Sequence, residues 1–135
     1  MNPLRFPHTK TKRGHGGKRL DLDNLFLRSS WEANYARYLN FLQKAKIIKL
    51  WKYEAKTFEF ENIKRGCRFY TPDFEIENID GSIEYHEIKG YMDGRSATKL
   101  KRMRKNYPQV KLILIDAKRY KGIAEKAKRF VSNWE

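Results

Sequence analysis

The chain has 135 residues, of which 30 are Lys or Arg and 16 are Asp or Glu, so its formal net charge is +14. This length suits one domain with a modest core, and a hydrophobic fraction of 40% excludes a disordered chain. No apolar run reaches the roughly 20 residues that span a bilayer, and the N-terminus lacks the apolar stretch of a secretion signal. The single cysteine, Cys67, excludes an internal disulfide. A cytoplasmic protein with no membrane partner is therefore expected.

The charge excess predicts an anionic partner. A surplus of Lys and Arg attracts polyanions, and phosphate contacts supply most of the non-specific affinity for nucleic acids. DNA or RNA is the leading expectation, because binding to an anionic membrane usually requires a basic amphipathic helix at a terminus. A basic protein whose charge serves only its solubility is the alternative.

Residues 1–24 predict a basic, flexible arm, followed by a single domain at 25–135. The arm is rich in Gly and Pro and poor in apolar residues, so it would become ordered only on a partner. We expect five of its basic residues to contact DNA: Lys10, Lys12, Arg13, Lys18 and Arg19. A frayed end without a role is the alternative.

Three helices are predicted. Serine at position 29, followed three positions later by Glu32, fits the capping box of a first helix that continues to about Lys46. A second helix is expected at 96–106, where Pro108 follows its end. A last helix carries an apolar stripe over 123–134.

The strands lie between these helices. Branched and aromatic residues predict a strand over 47–60, alternation predicts strands over 68–77 and 83–89, and a short apolar run predicts one over 110–115. Pro72 cannot donate a ladder hydrogen bond, so the second strand is expected to be bulged or at an edge there. The order α-β-β-β-α-β-α predicts an α/β fold with a small mixed sheet flanked by helices.

Polar residues on two of these strands form the candidate site. Alternate side chains of a strand share a face, so Glu87 and Lys89 point one way while Ile88 points into the core. Asp73 lies on the preceding strand, 14 residues before Glu87 (87 − 73). If the two strands pair, Asp73 and Glu87 can converge with Lys89 beside them. Ordinary exposed strand acids paired with lysines are the alternative.

Two facing carboxylates favour a divalent cation between them, because their repulsion otherwise costs free energy. Mg²⁺ prefers oxygen ligands, and we expect Mn²⁺ to substitute for it. Such a cation lowers the pKa of a bound water and offsets charge that develops on a phosphate. Lys89 could orient the water or stabilise the same charge. The combination suits hydrolysis of a phosphodiester.

The segments Thr71-Pro72-Asp73-Phe74 and Glu87-Ile88-Lys89-Gly90, separated by a hairpin, resemble the signature of the PD-(D/E)xK nuclease superfamily. The resemblance covers roughly residues 29–115. It implies a restriction-endonuclease-like α-β-β-β-α-β core, which agrees with the order of elements given above. It also implies that Asp73 and Glu87 are metal ligands, that the backbone carbonyl of Ile88 is a further ligand, and that Lys89 is the catalytic lysine.

The first predicted helix extends this resemblance. Ser30-Trp31-Glu32-Ala33 is similar to the first-helix motif of members from phages, transposon-type nucleases and Holliday junction resolvases. There the helix glutamate completes the metal site, so the resemblance implies a metal-binding and catalytic role for Glu32. The capping box explains Glu32 independently, without chemistry. Glu54, in the first strand, is either an extra acid of the site or a surface residue.

The second predicted helix carries a run of cations without an acid between them, directly after the candidate site. We expect a phosphate-binding face there, made by Lys99, Lys101, Arg102 and Arg104. A solvated charged face is the alternative reading.

These observations predict a structure-specific, magnesium-dependent DNA endonuclease. Within the superfamily the chain resembles a minimal Holliday junction resolvase, which implies branched DNA as substrate, a role in DNA recombination and a homodimer with two active sites. A bacterial cytoplasm or a phage-infected host would be its location. The alternatives are a nicking, restriction or transposase-type endonuclease of the same fold, a non-catalytic DNA-binding module, and a basic RNA-associated protein.

Overall fold

The computed structural model describes residues 15–135, so the predicted DNA contacts of Lys10, Lys12 and Arg13 lie outside the described residues. The helices are α1 (Ser30–Lys44), α2 (Gly94–Asn106) and α3 (Ala117–Ala127). In chain order the strands are β1 (Gly17–Arg19), β2 (Leu25–Leu27), β3 (Ile48–Tyr53), β4 (Phe58–Glu59), β5 (Phe69–Tyr70), β6 (Phe74–Asn78), β7 (Ile83–Lys89) and β8 (Leu112–Asp116). Over this described range, no helix has the length and apolar character needed to cross a membrane.

The central sheet has four strands in the order β3-β6-β7-β8. Strand β6 is antiparallel to both β3 and β7, whereas β8 is parallel to β7. A parallel pair needs a crossover connection, which α2 provides here. The predicted fold class, a small mixed α/β sheet with flanking helices and a C-terminal helix, is confirmed.

The two faces of the sheet pack against different elements. On one face Phe74, Ile76 and Ile88 pack against α1 and α3 in the main hydrophobic core. On the other face Tyr85 and partly buried Leu112 join a smaller core with α2 and the β4-β5 pair. Because side chains alternate along β7, Glu87 points to the α2 face together with Tyr85.

Helix α1 begins as the sequence predicts. The hydroxyl of Ser29 accepts a hydrogen bond from the Glu32 amide at 3.1 Å, which satisfies one of the free donors at the helix start. The helix ends at Lys44, two residues before the predicted end, and Lys46 adopts a positive φ of 61°. Its inner face, which includes Ala36 and Leu39, is fully buried against the sheet.

Two predicted strands are each divided in the structure. The segment predicted as one strand over 47–60 forms β3 and the separate short strand β4, because Glu54 turns the chain with a φ of 48°. The segment 68–77 is interrupted at 71–73 and forms β5 and β6. Pro72, which has no amide hydrogen, lies in this interruption, so the expected irregularity at Pro72 is confirmed.

The folded domain begins before residue 25, the boundary that the sequence predicts. Residues 17–27 form a β1-β2 hairpin whose Leu22 and Leu27 are buried in the main core, so part of the segment assigned to a flexible arm belongs to the folded domain. Leu22 and Leu27 lie on either side of a turn, so both side chains can pack into the core. Asp23 and Asn24, both with positive φ, make that turn.

Arg19 is not available for DNA, which corrects the expectation for this residue. Its side chain is 8% exposed, and its Nε donates to Oε2 of Glu135 at 2.6 Å. Glu135 also accepts from Arg37, which in turn pairs with Asp21 at 2.7 Å. We call Arg19, Asp21, Arg37 and Glu135 the terminal ion-pair cluster. Lys18, by contrast, is exposed on β1.

The remaining boundaries differ at helix starts. Helix α3 begins after its cap Asp116, before the first residue of the predicted apolar stripe over 123–134, and it ends at Ala127, so it contains only the first part of that stripe. Asp116 fixes this start because its carboxylate accepts from the Arg119 amide at 2.9 Å. Val131 and Trp134 still pack on the core from an irregular segment. Helix α2 likewise begins earlier than predicted, after its cap Asp93.

Candidate active site

Asp73 lies immediately before β6, at the edge of the interruption around Pro72. Its carboxylate accepts a hydrogen bond from the Ile88 amide, with 2.8 Å between Oδ2 and N. The side chain is 5% exposed. The interruption therefore turns Asp73 toward the end of β7, where the other candidate residues lie.

Glu87 faces Asp73 from β7. Its Oε1 accepts from the Tyr70 hydroxyl at 2.8 Å and from the Asp73 amide at 3.3 Å. Within residues 15–135, neither Oε2 of Glu87 nor Oδ1 of Asp73 accepts a hydrogen bond. Each carboxylate is thus held by one oxygen and keeps the other for a ligand in the cleft that both side chains line.

The site holds its carboxylates in an environment that opposes their ionisation. Burial, together with the nearby Glu87 and Glu32 carboxylates, raises the pKa of Asp73 to about 9. Burial also raises the pKa of Glu87, although the Tyr70 hydrogen bond and the Lys89 charge partly offset this effect. Each of the two carboxylates therefore opposes the ionisation of the other. A divalent cation would relieve the same repulsion.

Lys89 lines this cleft together with two further cations, Arg28 and Lys99. Arg28 follows the β1-β2 hairpin, Lys89 ends β7 and Lys99 lies on α2, so the three cations line the cleft from different parts of the fold. Among residues 15–135, Lys89 has no carboxylate within ion-pair distance. Its ammonium is free to contact a bound anion.

Glu32 lies beside the cleft and does not line it. Its Oε1 accepts from the Tyr53 hydroxyl at 2.6 Å and from the Arg28 amide at 3.4 Å, and the side chain is 9% exposed. Burial raises the pKa of Glu32. The contact with the Arg28 amide resembles a capping-box contact. The charge of Glu32 also raises the pKa of Asp73, so Glu32 lies near the candidate site. Both readings of Glu32 thus have a geometric basis.

The donor set can be tested against the metal that the resemblance implies. The described part of the chain contains no group of three or more His, Cys, Asp or Glu side chains arranged around one point. Asp73 and Glu87 with their free oxygens provide two carboxylates. Mg²⁺ is commonly bound through one or two carboxylates, with water and substrate phosphate completing its shell. The residues present therefore fit Mg²⁺ and do not fit a closed, zinc-type structural site.

Sequence reasoning missed Arg28 and the partner that holds it. An Nη2 atom of Arg28 lies 2.8 Å from Oε2 of Glu54, while the Arg28 side chain is 66% exposed. Glu54 also donates its amide to the Asp73 carbonyl at 2.8 Å. Glu54 therefore orients a cation of the cleft, a role that neither sequence reading of this residue anticipated. No local signal reveals this pair, because it joins a hairpin to the end of β3.

Tyr70 and Tyr53 were also missed as partners of the carboxylates. Strict alternation over the predicted strand 68–77 would place Tyr70 on the opposite face from Asp73, but the interruption at 71–73 breaks this alternation and brings the Tyr70 hydroxyl to Glu87. Tyr53 holds Glu32 in the same way. The sequence signal that could have found Tyr70 is Pro72, which indicates that strict alternation does not continue past it.

The basic face of α2 has mixed roles. Lys101 and Arg104 are exposed, and Lys99 lies at the cleft, so these three cations remain accessible to an anion. Arg102 differs, because its Nη1 donates to the Cys67 carbonyl at 2.7 Å and its side chain is half-buried. It therefore fastens α2 to the segment before β5.

The neighbouring strand residues do not join the cleft. Glu75 accepts from the Tyr85 hydroxyl at 3.2 Å, and Glu77 pairs with Lys49 at the surface. His86 points to the α1 face, where its Nδ1 lies 2.7 Å from the Tyr35 hydroxyl. These contacts are structural.

The comparisons with known proteins show the family of this chain. A family model described as "Protein of unknown function (DUF1064)" matches residues 12–122, so the chain belongs to that family. The matched range includes every residue of the cleft named above. No curated protein matches the chain, and no solved structure matches it.

Proposed function

We propose that this chain is a divalent-metal-dependent DNA endonuclease that hydrolyses phosphodiester bonds. One observation carries the proposal: Asp73 and Glu87 meet in one cleft, each with an oxygen free of protein hydrogen bonds, beside the unpaired cation of Lys89. Two buried carboxylates with raised pKa values destabilise a fold unless a ligand uses them. A site of this composition favours binding a hard cation and an anionic substrate together.

Each residue has a role in this proposal. Asp73 and Glu87 would hold Mg²⁺ or Mn²⁺, with the Ile88 carbonyl as a further donor, and Glu32 would act as an outer carboxylate. When bound, the cation supplies positive charge that lowers the pKa of a water molecule and offsets charge on the phosphate. Lys89 contacts the scissile phosphate or the attacking water.

Two further cations bind the flanking phosphates in this proposal. Arg28 and Lys99 lie at the same cleft on different elements, so they can contact phosphates on either side of the scissile bond. The exposed Lys101 and Arg104 extend this positive surface along α2. A net charge of +14 supports DNA as the polyanion.

We further propose branched DNA, most specifically a Holliday junction, as the substrate of a homodimer in a bacterial or phage-infected cytoplasm. A compact basic domain recognises backbone and shape better than base sequence. Symmetric cleavage of a four-way junction needs two active sites, which a two-fold dimer supplies.

Cleavage of a synthetic four-way junction in Mg²⁺ or Mn²⁺, beside a linear duplex of matched sequence, tests the proposal. Preferential, metal-dependent cleavage of the junction is the expected result. Asp73→Asn should abolish it and Lys89→Ala should slow it roughly 100-fold or more, while both variants still bind DNA. Equal cleavage of both substrates would refute the resolvase part and leave a general endonuclease. Failure to cut junction, nicked or linear DNA would favour the non-catalytic binding module.

A further inference from the structure

The loop between β7 and α2, which adjoins the candidate cleft, carries an exposed aromatic ring. Tyr91 is 73% exposed, which makes it the most exposed aromatic side chain among residues 15–135. Its ring makes no ring contact, and its hydroxyl makes no hydrogen bond, with any part of the chain that the structure describes. Tyr91 lies in the chain between Lys89 and Met92, which both line the cleft, so its backbone is next to the cleft although its exposed ring is not part of the lining.

Met92 continues this apolar surface into the cleft. It is 38% exposed and lines the cleft together with Leu100 of α2. Single exposed apolar residues are common on protein surfaces. An exposed ring followed by a methionine, at the entrance to a site built from carboxylates and cations, is a more specific arrangement.

The charges around the loop favour an anionic ligand that also has an apolar face. Lys89 and Lys99 line the adjoining cleft, and Arg95 is exposed in the first turn of α2. Asp93 is the one acid within the loop, and its carboxylate is engaged by the Ser96 amide at 2.7 Å. Nucleotides combine these two properties, since each has a phosphate and a flat base.

We propose that Tyr91, flanked by Met92, is a stacking site for an unpaired nucleobase next to the phosphate held in the cleft. The inference rests on the proposed function and defines its substrate class further. Aromatic side chains beside cations bind single-stranded nucleic acid by stacking on successive bases, largely without regard to sequence. The ligand is therefore a DNA strand with at least one unpaired nucleotide beside the scissile bond.

Paired DNA does not offer the same contact. In a continuous duplex both faces of every base are covered by its neighbours, so a tyrosine at the surface meets only phosphates and groove edges. An unpaired base at a flap or a bubble, or at the centre of a junction whose pairing is opened there, exposes a face to which Tyr91 can stack. The site thus selects DNA with unpaired nucleotides, through a residue that touches no metal ligand.

Equilibrium binding without metal tests this inference independently of cleavage. The probes are a short single-stranded oligonucleotide that contains 2-aminopurine and its fully paired duplex, and base stacking is measured as quenching of the fluorescence. Tyr91→Ala should weaken binding of the single strand about tenfold and change binding of the duplex by less than about twofold. Tyr91→Phe and Tyr91→Trp should retain the affinity, because both keep a ring.

Phe130→Ala is the matched control. Phe130 is 54% exposed but packs on Phe41 of α1, away from the α2 face, so its loss should leave both affinities unchanged. Circular dichroism and Tm measurements check that each variant is folded. Because Tyr91 is exposed, its replacement should leave the fold intact. An equal loss of affinity for both probes, or no loss for the single strand, would overturn the inference. A Tyr91-dependent affinity in a protein that cuts no DNA would support the stacking site and refute the nuclease.

A protein partner on this loop is a different proposal, and the same variants separate it. In that case Tyr91→Ala would leave both DNA affinities at the parent level, which overturns the stacking site. With an active enzyme, Tyr91→Ala should reduce cleavage of a flapped substrate about tenfold more than cleavage of a continuous duplex.

Discussion

The amide of Asp73 donates to the carboxylate of Glu87, at 3.3 Å from Oε1. In return, the amide of Ile88 donates to the Asp73 carboxylate at 2.8 Å. The regular β6-β7 pairing ends at Phe74 and His86. Beyond this pair, the two strands are joined by hydrogen bonds from backbone amides to side-chain carboxylates. Each carboxylate is consequently positioned by the backbone of the strand opposite, which restricts its rotamers before any ligand binds.

Asp73→Asn should stabilise the metal-free protein near neutral pH. The pKa of Asp73 is raised from 3.8 to about 9, so between these values the folded state holds a proton that the unfolded chain releases. The contribution of Asp73 to stability is therefore fully present below pH 3.8 and falls as pH rises toward about 9. Replacement by Asn removes this penalty and should raise the free energy of unfolding by roughly 1–3 kcal/mol.

Thermal denaturation in the presence of a chelator, at several pH values, measures this effect. The Tm difference between Asp73→Asn and the parent should grow from acid to neutral pH. Glu77→Gln is the control, since this residue pairs with Lys49 at the surface and should show no such trend. If the Tm difference between the parent and Asp73→Asn is the same at pH 4 and at pH 8, the pKa of Asp73 is not raised and the prediction is wrong.

Added Mg²⁺ or Mn²⁺ should raise the Tm of the parent protein, since a ligand that binds only the folded state stabilises it by mass action. The metal competes with protonation of Asp73, whose pKa is raised to about 9, so the apparent metal affinity should increase from pH 6 toward pH 9. Glu87→Gln should lose the metal-induced shift. A shift of the same size in this variant would place the metal elsewhere.

Lys89→Ala should reduce the rate of DNA cleavage by roughly 100-fold or more while changing the Tm little. The reason is that Lys89 has no carboxylate partner within residues 15–135 to lose, whereas the developing phosphate charge would lose a contact. Single-turnover cleavage assays give the rate. Lys126→Ala, on the exposed face of α3, controls for the loss of one positive charge. Similar losses in both variants would mean that Lys89 contributes only general charge.

Arg28→Ala should weaken substrate binding more than it slows the chemical step. We expect an increase in KM of roughly tenfold, because a charge-assisted contact to one phosphate is worth about 1–2 kcal/mol. Glu54→Gln should produce a smaller increase in KM, since it leaves Arg28 in place but removes the ion pair that orients it. A larger defect in Glu54→Gln than in Arg28→Ala would instead assign Glu54 to the chemistry.

Glu135→Gln should destabilise the domain at neutral pH by roughly 1–3 kcal/mol. Although burial raises it, hydrogen bonds from Arg19, Ser30 and Arg37 lower the pKa of Glu135 to about 2. The carboxylate thus stabilises the fold above pH 4.5, and this stabilisation is lost as pH falls toward 2. Urea unfolding at pH 7 and pH 3 tests it, and the parent and variant should differ less at the lower pH.

The sequence predicts the central elements well because their signals are local. The capping box at Ser29 and the alternation over 83–89 each involve residues close together in the chain, and the structure has α1 and β7 there. The convergence of Asp73, Glu87 and Lys89 was predicted for the same reason, since a hairpin brings adjacent strands into register. Function itself remains a proposal.

The parts that were missed depend on contacts between distant residues. Arg19 looked like one more cation of a basic arm, and only its pairing with Glu135 reveals a buried side chain. Arg28 likewise shows its place at the cleft only through Glu54. Such pairs have no periodicity in the sequence, and they arise from how the hairpin packs on the finished sheet.

The terminal ion-pair cluster has a consequence for the order in which the domain is completed. Arg19 and Glu135 are 116 positions apart, so during synthesis the hairpin emerges long before the carboxylate that neutralises its buried arginine. Arg28 directly follows the hairpin. The ion pair between Arg19 of the hairpin and Glu135 can form only after residue 135 has left the ribosome. A nascent chain that has not yet reached this residue therefore already contains Asp73 and Glu87, while the hairpin before Arg28 still lacks the ion pair that anchors it.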